Sequence, residues 1–222
     1  MGLELYLDLP SQPCRAVYIF AKKNGTSNGI PFELRTVELL RQASKEFFQV
    51  NSLQRVPVPK DGDFLLTEST AILICLSCKY QTADHWYPPD LQAHTEPTVC
   101  PHQVLAPLLG TQVPEEKMDR NRTAMAWALQ QLEDHFLGER AFLAGQQVTL
   151  ADLMALEELI LVRSQPADWQ LWPGQQRLAA WRARVEAFLG AELCQEAHGQ
   201  ETLPVPPPEA CPGMLRLIVR IP

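Results

Sequence analysis

The 222-residue chain has no long hydrophobic run. Its densest apolar stretch, Ala71 to Leu76, falls far short of the ~20 residues a membrane-spanning helix needs, so no membrane partner is expected. Basic residues are also in deficit: 19 Lys and Arg stand against 26 Asp and Glu, a net charge of −7. That sign disfavours nucleic acid or an anionic membrane surface as the main partner. The first residues carry no basic lead, and Glu4 and Asp8 interrupt their apolar run, so no secretory signal is expected. A myristoylation motif fails because Tyr6 stands where Ser or Thr is required. A cytoplasmic location is the resulting expectation. In that compartment the six cysteines (Cys14, Cys75, Cys78, Cys100, Cys194 and Cys211) imply no disulfide framework. Cys75-x-x-Cys78 lies inside a predicted helix with no second pair or His at ligand spacing, so it reads as core packing, with no metal expected. His94, Cys100 and His102 lack a fourth ligand and read as loop. Internal repeats are absent.

What is present is an ordinary globular composition, 46% apolar and 20% charged. The length suffices for one large domain or two smaller ones. Leu3 to Leu9 alternates apolar and polar residues, the period of a half-buried strand. Pro10-Ser11-Gln12-Pro13 breaks it, and Cys14 to Lys23 reads as a helix with Pro13 in its first turn, where a missing N–H costs nothing. Phe32 to Leu39 alternates again, which predicts a right-handed βαβ unit. Ser44 to Val50 reads as a short helix.

The most informative stretch is Val56 to Leu73. Two short strands flank a Lys60-Asp61-Gly62 turn, and Glu68 to Tyr80 follows as a helix. Pro57 lacks an N–H, which suits an edge position or a cis bond. Thr67, Glu68 and Ser69 place two hydroxyls and a carboxylate at a helix start, where unpaired N–H groups and the helix dipole favour an anion. Locally these residues describe a hairpin feeding a capped helix equally well.

The element order β-α-β-α-β-β-α predicts an α/β unit with a four-stranded mixed sheet over residues 1–80. A polar, proline-bearing linker (81–92) and an all-helical domain (93–222) follow. Glu115 to Leu137 carries Met118, Met125, Ala128, Leu129, Leu132 and Phe136 at helical spacing. Phe142 to Gly145 reads as a turn. Thr149 and Asp152 have capping-box spacing at the next helix, and Arg177 to Leu189 should turn Trp181 and Val185 inward.

With Met1 to Leu9, Ser11 to Lys23, Lys60 to Phe64, Leu143 to Leu153 and Arg184 to Gly190 in view, the chain resembles a cytosolic glutathione transferase. It is most similar to the theta class, and within it to the mammalian theta-2 type. The resemblance implies a thioredoxin-like domain followed by a helical domain, and conjugation of glutathione, as co-substrate, to a hydrophobic electrophile. Reduction of organic hydroperoxides is a possible second activity of such a site, and a homodimer is implied. Ser11 maps onto the serine that activates the thiol. A hydroxyl donor beside a helix N-terminus stabilises a thiolate and lowers its pKa, although a plain N-cap serine would look the same. Val56, before a cis Pro57, would pair its backbone with the cysteinyl unit of the tripeptide. Glu68 would hold the γ-glutamyl ammonium and Ser69 the adjacent carboxylate. Cys14, three residues after Ser11, reads as packing.

The resemblance breaks in places. Members of this type carry Lys-Gly-Gln-His-Lys-Ser before the short second helix, and its His and Lys bind the glycine end of glutathione. Here Arg41-Gln42-Ala43-Ser44 stands instead, leaving Arg41 as the weak candidate for that role. A long cleft helix is replaced by His94 to Gln103, whose Pro97 and Pro101 preclude it. The helical domain is therefore expected to be shortened. The alternative to an active transferase is a binding or scaffold protein with an impaired site. A thiol–disulfide oxidoreductase using Cys75 and Cys78 is disfavoured, since neither sits at a helix start.

Overall fold

The computed structural model describes residues 2–24, 29–37, 45–87, 123, 126–163 and 175–199. Strand β1 (Leu3–Leu7) buries Leu3, Leu5 and Leu7 and leaves Glu4 and Tyr6 part-exposed, as its alternation dictates. Helix α1 (Gln12–Lys23) starts two residues earlier than the apolar pattern suggests, because Pro13 fits within the first turn. Eight consecutive residues, Cys14 to Ala21, are buried. Strand β2 (Phe32–Thr36) lies parallel to β1, and Val37 N–H extends the pairing by one bond to the Leu7 carbonyl at 2.8 Å. The Arg41 and Ser44 readings fall outside the described residues; α2 follows at Lys45–Val50.

Strands β3 (Val58–Asp61) and β4 (Phe64–Leu65) complete a four-stranded mixed sheet in the order β2-β1-β3-β4, with β3 antiparallel to both neighbours. The turn is Gly62-Asp63 rather than Lys60-Asp61-Gly62. Gly62 takes φ +61° and Asp63 has no positive φ, which is the signature of a two-residue II′ turn. Pro59 sits inside β3, yet costs little. Its carbonyl faces the β4 side, where it accepts from Leu66 N–H at 3.4 Å, and β4 is too short to need a donor opposite.

Helix α3 (Ser69–Lys79) buries Ile72, Leu73, Leu76 and Ser77. That stripe leaves Cys75 half-buried and Cys78 exposed, so the expectation that both pack in the core is corrected; among the described cysteines Cys14 is the buried one. The expected polar linker also needs revision. Asp84–Trp86 forms a 3₁₀ turn that buries Trp86 against Phe20 and Phe188, at ring-centroid distances of 5.2 and 5.7 Å. His85 Nδ1 lies 2.5 Å from the Val148 carbonyl. This part of the connection is a packed seam.

The helical half contains a π-helical turn, Leu132–Leu137, then α4 (Leu150–Arg163), α5 (Gln176–Leu189) and α6 (Ala191–His198). Leu129 and Leu132 are buried as expected and Phe136 partly so, while Met118 and Met125 lie outside the described residues. Phe142 and Gly145 close a turn through reciprocal backbone bonds of 3.0 and 3.1 Å. Trp181 and Val185 are fully buried.

Asp152, wholly buried, organises this half. It accepts from Thr149 N–H (2.9 Å), Thr149 Oγ1–H (3.0 Å), Leu143 N–H (2.8 Å) and Trp181 Nε1–H (2.7 Å). One carboxylate thus starts α4, pins the preceding turn and anchors α5. Glu133 does similar work at the start of α5, accepting from Arg177 N–H (3.0 Å) and Leu178 N–H (2.7 Å). A single apolar cluster runs from Leu3 and Leu5 of the sheet, through Val17 and Phe20 of α1, to Leu156 and Trp181.

Candidate functional site

Strands β1, β2 and β4 run parallel to one another and end at the same edge of the sheet. The chain leaves β1 into Leu9-Pro10-Ser11 and leaves β4 into Thr67-Glu68-Ser69. Because β3 is antiparallel with Val58 opposite Tyr6, Val56 and Pro57 come in beside the end of β1 at that edge. Topology therefore gathers Ser11, Val56-Pro57 and Glu68-Ser69, which are scattered over nearly 60 residues of sequence. Carboxyl ends of parallel strands are where open α/β sheets hold their ligands.

Ser11 is the N-cap of α1, in an extended conformation, with its N–H bonded to the Asp8 carbonyl at 2.9 Å and its own carbonyl accepting from Arg15 N–H at 3.1 Å. Its hydroxyl makes no capping bond to the helix backbone, and the first turn of α1 contains no acidic residue. Asp8, just before the helix, nevertheless places a carboxylate whose charge is felt at Cys14 in that turn. Cys14, one turn on, is fully buried, and desolvation pushes its thiol up to about 12 despite opposing bonds from the Asp8 backbone and the Ser11 side chain. It stays neutral and serves as packing.

The Val56–Pro57 peptide is cis. Pro57 is buried and Val56 half-buried. At the second helix start, Glu68 is exposed and adopts φ +72°, ψ 112°, a region a residue with a Cβ occupies only at a cost. Its carbonyl accepts from Ile72 N–H at 2.9 Å, and no side chain caps α3. The first N–H groups of a helix have no acceptor within it and point outward from its end. The sequence marked Glu68 by its place before the helix; its strained backbone had no sequence signal, since Glu rarely takes positive φ.

The helical half supports this edge through side chains that local sequence could not pair. Arg15 Nη1 donates to the carbonyls of Leu9 (3.2 Å) and Pro10 (3.1 Å), the two residues before Ser11, while its Nε meets Glu157 of α4 at 2.7 Å in a fully buried ion pair. His198 Nε2 of α6 lies 3.0 Å from the other Glu157 oxygen. Gln12 Nε2 donates to Glu158 Oε2 at 3.3 Å. Burial raises the Glu158 carboxyl to about 7, against smaller opposing effects of Gln12 and Arg15. Thr70 Oγ1 of α3 lies 3.6 Å from Met154 Sδ. The pairs Arg15–Glu157, Gln12–Glu158 and Thr70–Met154 stand 84 to 146 residues apart, so no spacing rule could find them.

No group of three or more metal-ligating side chains occurs among the described residues. Nor is any described helix long and apolar enough to cross a membrane.

The comparisons with known proteins match both halves. The profile "Glutathione S-transferase, N-terminal domain" matches residues 16–76, and "Glutathione S-transferase, C-terminal domain" matches residues 88–187. Human glutathione S-transferase theta-2B is 61% identical over 252 aligned positions, covering all of both chains. The chain belongs to the theta class of glutathione S-transferases. It is 59% identical to the rat theta-2 enzyme over the same span, again covering all of both chains. Among solved structures, human glutathione transferase theta-2 in complex with glutathione superposes with a TM-score of 0.81 at 59% identity, covering all of both chains. The apo human T1-1 enzyme gives 0.84 at 44% identity, covering 98% of each. An alignment of 252 positions against 222 residues means that the theta-2B relative carries stretches with no counterpart in this transferase.

Proposed function

We propose that this transferase binds glutathione along the shared carboxyl edge of β1 and β4 and presents its sulfur to the Ser11 hydroxyl. The observation that carries this reading is the convergence of Ser11, Val56–cis-Pro57 and the uncapped start of α3 on that one edge. Each piece matches part of the tripeptide. The backbone of Val56 is available to pair with the cysteinyl unit as an added strand would. Glu68 supplies a carboxylate for the γ-glutamyl ammonium, and Ser69, with its hydroxyl and N–H, receives the neighbouring carboxylate at the positive end of α3. Arg41 is the candidate for the glycine carboxylate. The human theta-2 relative was solved with glutathione, and in a second structure with the glutathione conjugate of 1-menaphthyl sulfate, which supports the same substrates here.

The chemistry is conjugation. The thiol loses its proton to solvent, and the Ser11 O–H donates to the resulting thiolate and lowers the pKa at which it forms. The sulfur lone pair then forms a C–S bond to a hydrophobic electrophile, and the leaving group departs with its bonding electrons. With an organic hydroperoxide the same thiolate attacks oxygen, giving an alcohol and a sulfenic acid that a second glutathione converts to disulfide and water. We further assign the active form as a cytoplasmic homodimer, with residues 1–80 as the glutathione-binding domain and 93–222 as the helical domain. Calorimetric titration of the purified protein with glutathione, followed by conjugation kinetics for wild type and Ser11→Ala, is the test. Binding retained with turnover lost in the variant is expected; turnover unaffected by the substitution refutes the role of Ser11. Binding without turnover in the wild type itself would point to the scaffold alternative.

A further inference from the structure

The two flanks of Ser11 are both held from α4. On one side Arg15, anchored to Glu157, grips the carbonyls of Leu9 and Pro10; on the other, Gln12 bonds Glu158. Glu157 and Glu158 are consecutive, so one turn of a distant helix sets both sides of the serine. We propose that Glu158 is a positioning residue for Ser11: its hydrogen bond to Gln12 fixes the first turn of α1 and thereby the direction in which the serine hydroxyl is presented. This rests on the reading of Ser11 as the donor to the glutathione sulfur.

The physical case has three parts. The first N–H groups of a helix lack intrahelical acceptors, so first turns fray unless a side chain holds them. Gln12 occupies that turn, part-buried, and its amide reaches across to the other half of the molecule. A hydroxyl donor weakens steeply once its distance or angle to the acceptor degrades, so slack in this turn is felt at the sulfur. An ionised carboxylate accepts more strongly than an amide or a carboxylic acid, and burial places the Glu158 ionisation close to neutrality. The charged groups around it are Arg15 on α1, Glu157 on its own helix, and His198 of α6, which contacts Glu157. The tether tightens as pH rises through about 7.

The experiment compares wild type, Gln12→Ala, Glu158→Ala, Glu158→Gln and Ser11→Ala. The readouts are kcat, KM for glutathione, and the pKa of bound glutathione followed by ultraviolet thiolate absorbance. In Gln12→Ala and Glu158→Ala, kcat should fall about fivefold and the bound-thiol pKa rise by about half a unit, with KM changed less than about twofold. Glu158→Gln should restore most of the rate, since an amide oxygen still accepts from Gln12, but lose the component of the pH profile near 7. Unchanged kcat and thiol pKa in both alanine variants overturn the proposal. A bound-thiol pKa unaffected by Ser11→Ala overturns the underlying reading of Ser11, and this inference with it; the parallel series tells the two failures apart.

Discussion

Helix starts in this molecule come in two kinds. At α4 the start is closed: Asp152 accepts four hydrogen bonds at zero exposure, and Thr149 uses both its N–H and hydroxyl internally. At α1 and α3 the starts are open: neither Ser11 nor Glu68 makes a side-chain cap, and Glu68 holds a strained backbone besides. All three offer the same raw material, N–H groups with no acceptor inside the helix, at the positive end of a dipole. Where a buried carboxylate pins the residue that opens the helix, the start is architecture. Where no side chain caps the start and two such starts share one sheet edge, it is the proposed place for glutathione. The contrast separates folding from function inside a single structural motif.

Asp152→Ala should break the contrast most severely. It orphans Thr149, Leu143 and Trp181 donors in a dry site, at a cost of about 4 kcal/mol, read as a large drop in thermal midpoint or insoluble expression. Ser11→Ala works in the opposite register. Conjugation kcat should fall about 10²-fold, as for loss of one donor to a developing charge, while the melting temperature stays within about two degrees because no cap is lost. Equal losses of stability and rate in the two variants would erase the distinction.

Glu158→Gln probes the support between the two kinds of start through pH. The folded carboxyl ionises near 7, above its ordinary value of 4.5. Its stabilising contribution is thus complete below about 4.5 and is lost as pH rises to about 7. The amide variant should gain stability over wild type as pH goes from 5 to 8, by up to about 2 kcal/mol; a constant difference across that range would contradict the buried carboxyl. The smallest effect is expected at Glu68. Glu68→Gly relieves the positive φ and should stabilise the fold by about 1 kcal/mol while weakening glutathione binding about tenfold through loss of the carboxylate. Calorimetric titration and a melting curve on the same sample read both.

Much of this was legible in the sequence because it rests on local rules. Alternation in Leu3 to Leu9, proline punctuation at Pro10 and Pro13, and the Gly62 turn give the element order, and the Thr149–Asp152 spacing gives the start of α4. Family resemblance then singled out Ser11, Val56, Pro57, Glu68 and Ser69, and the topology brings those residues to one edge. What was not legible depends on long-range or off-pattern geometry. Cys78 faces outward because α3 buries the stripe through Ile72, Leu73 and Leu76, a phase that an almost uniformly apolar helix does not reveal. Trp86 sits in a segment that reads as solvated until Phe20 and Phe188 close around it. The Arg15–Glu157 and Gln12–Glu158 pairs need two helices to meet before either carboxylate has a meaning.

The burial of α1 on every side has a consequence for how the protein is made. Cys14 to Ala21 are covered by the sheet and α3 on one side, and the remainder of their surface is closed by α4 and α6. During synthesis the strands and first helix leave the ribosome early, whereas Glu157 and the rest of α4 emerge only after more than half the chain has been added. Until then α1 exposes an apolar face and an arginine lacking its carboxylate, which is the kind of surface chaperones bind. The thioredoxin-like half comes first in the sequence, but the burial of its first helix is complete only when the last third of the protein arrives.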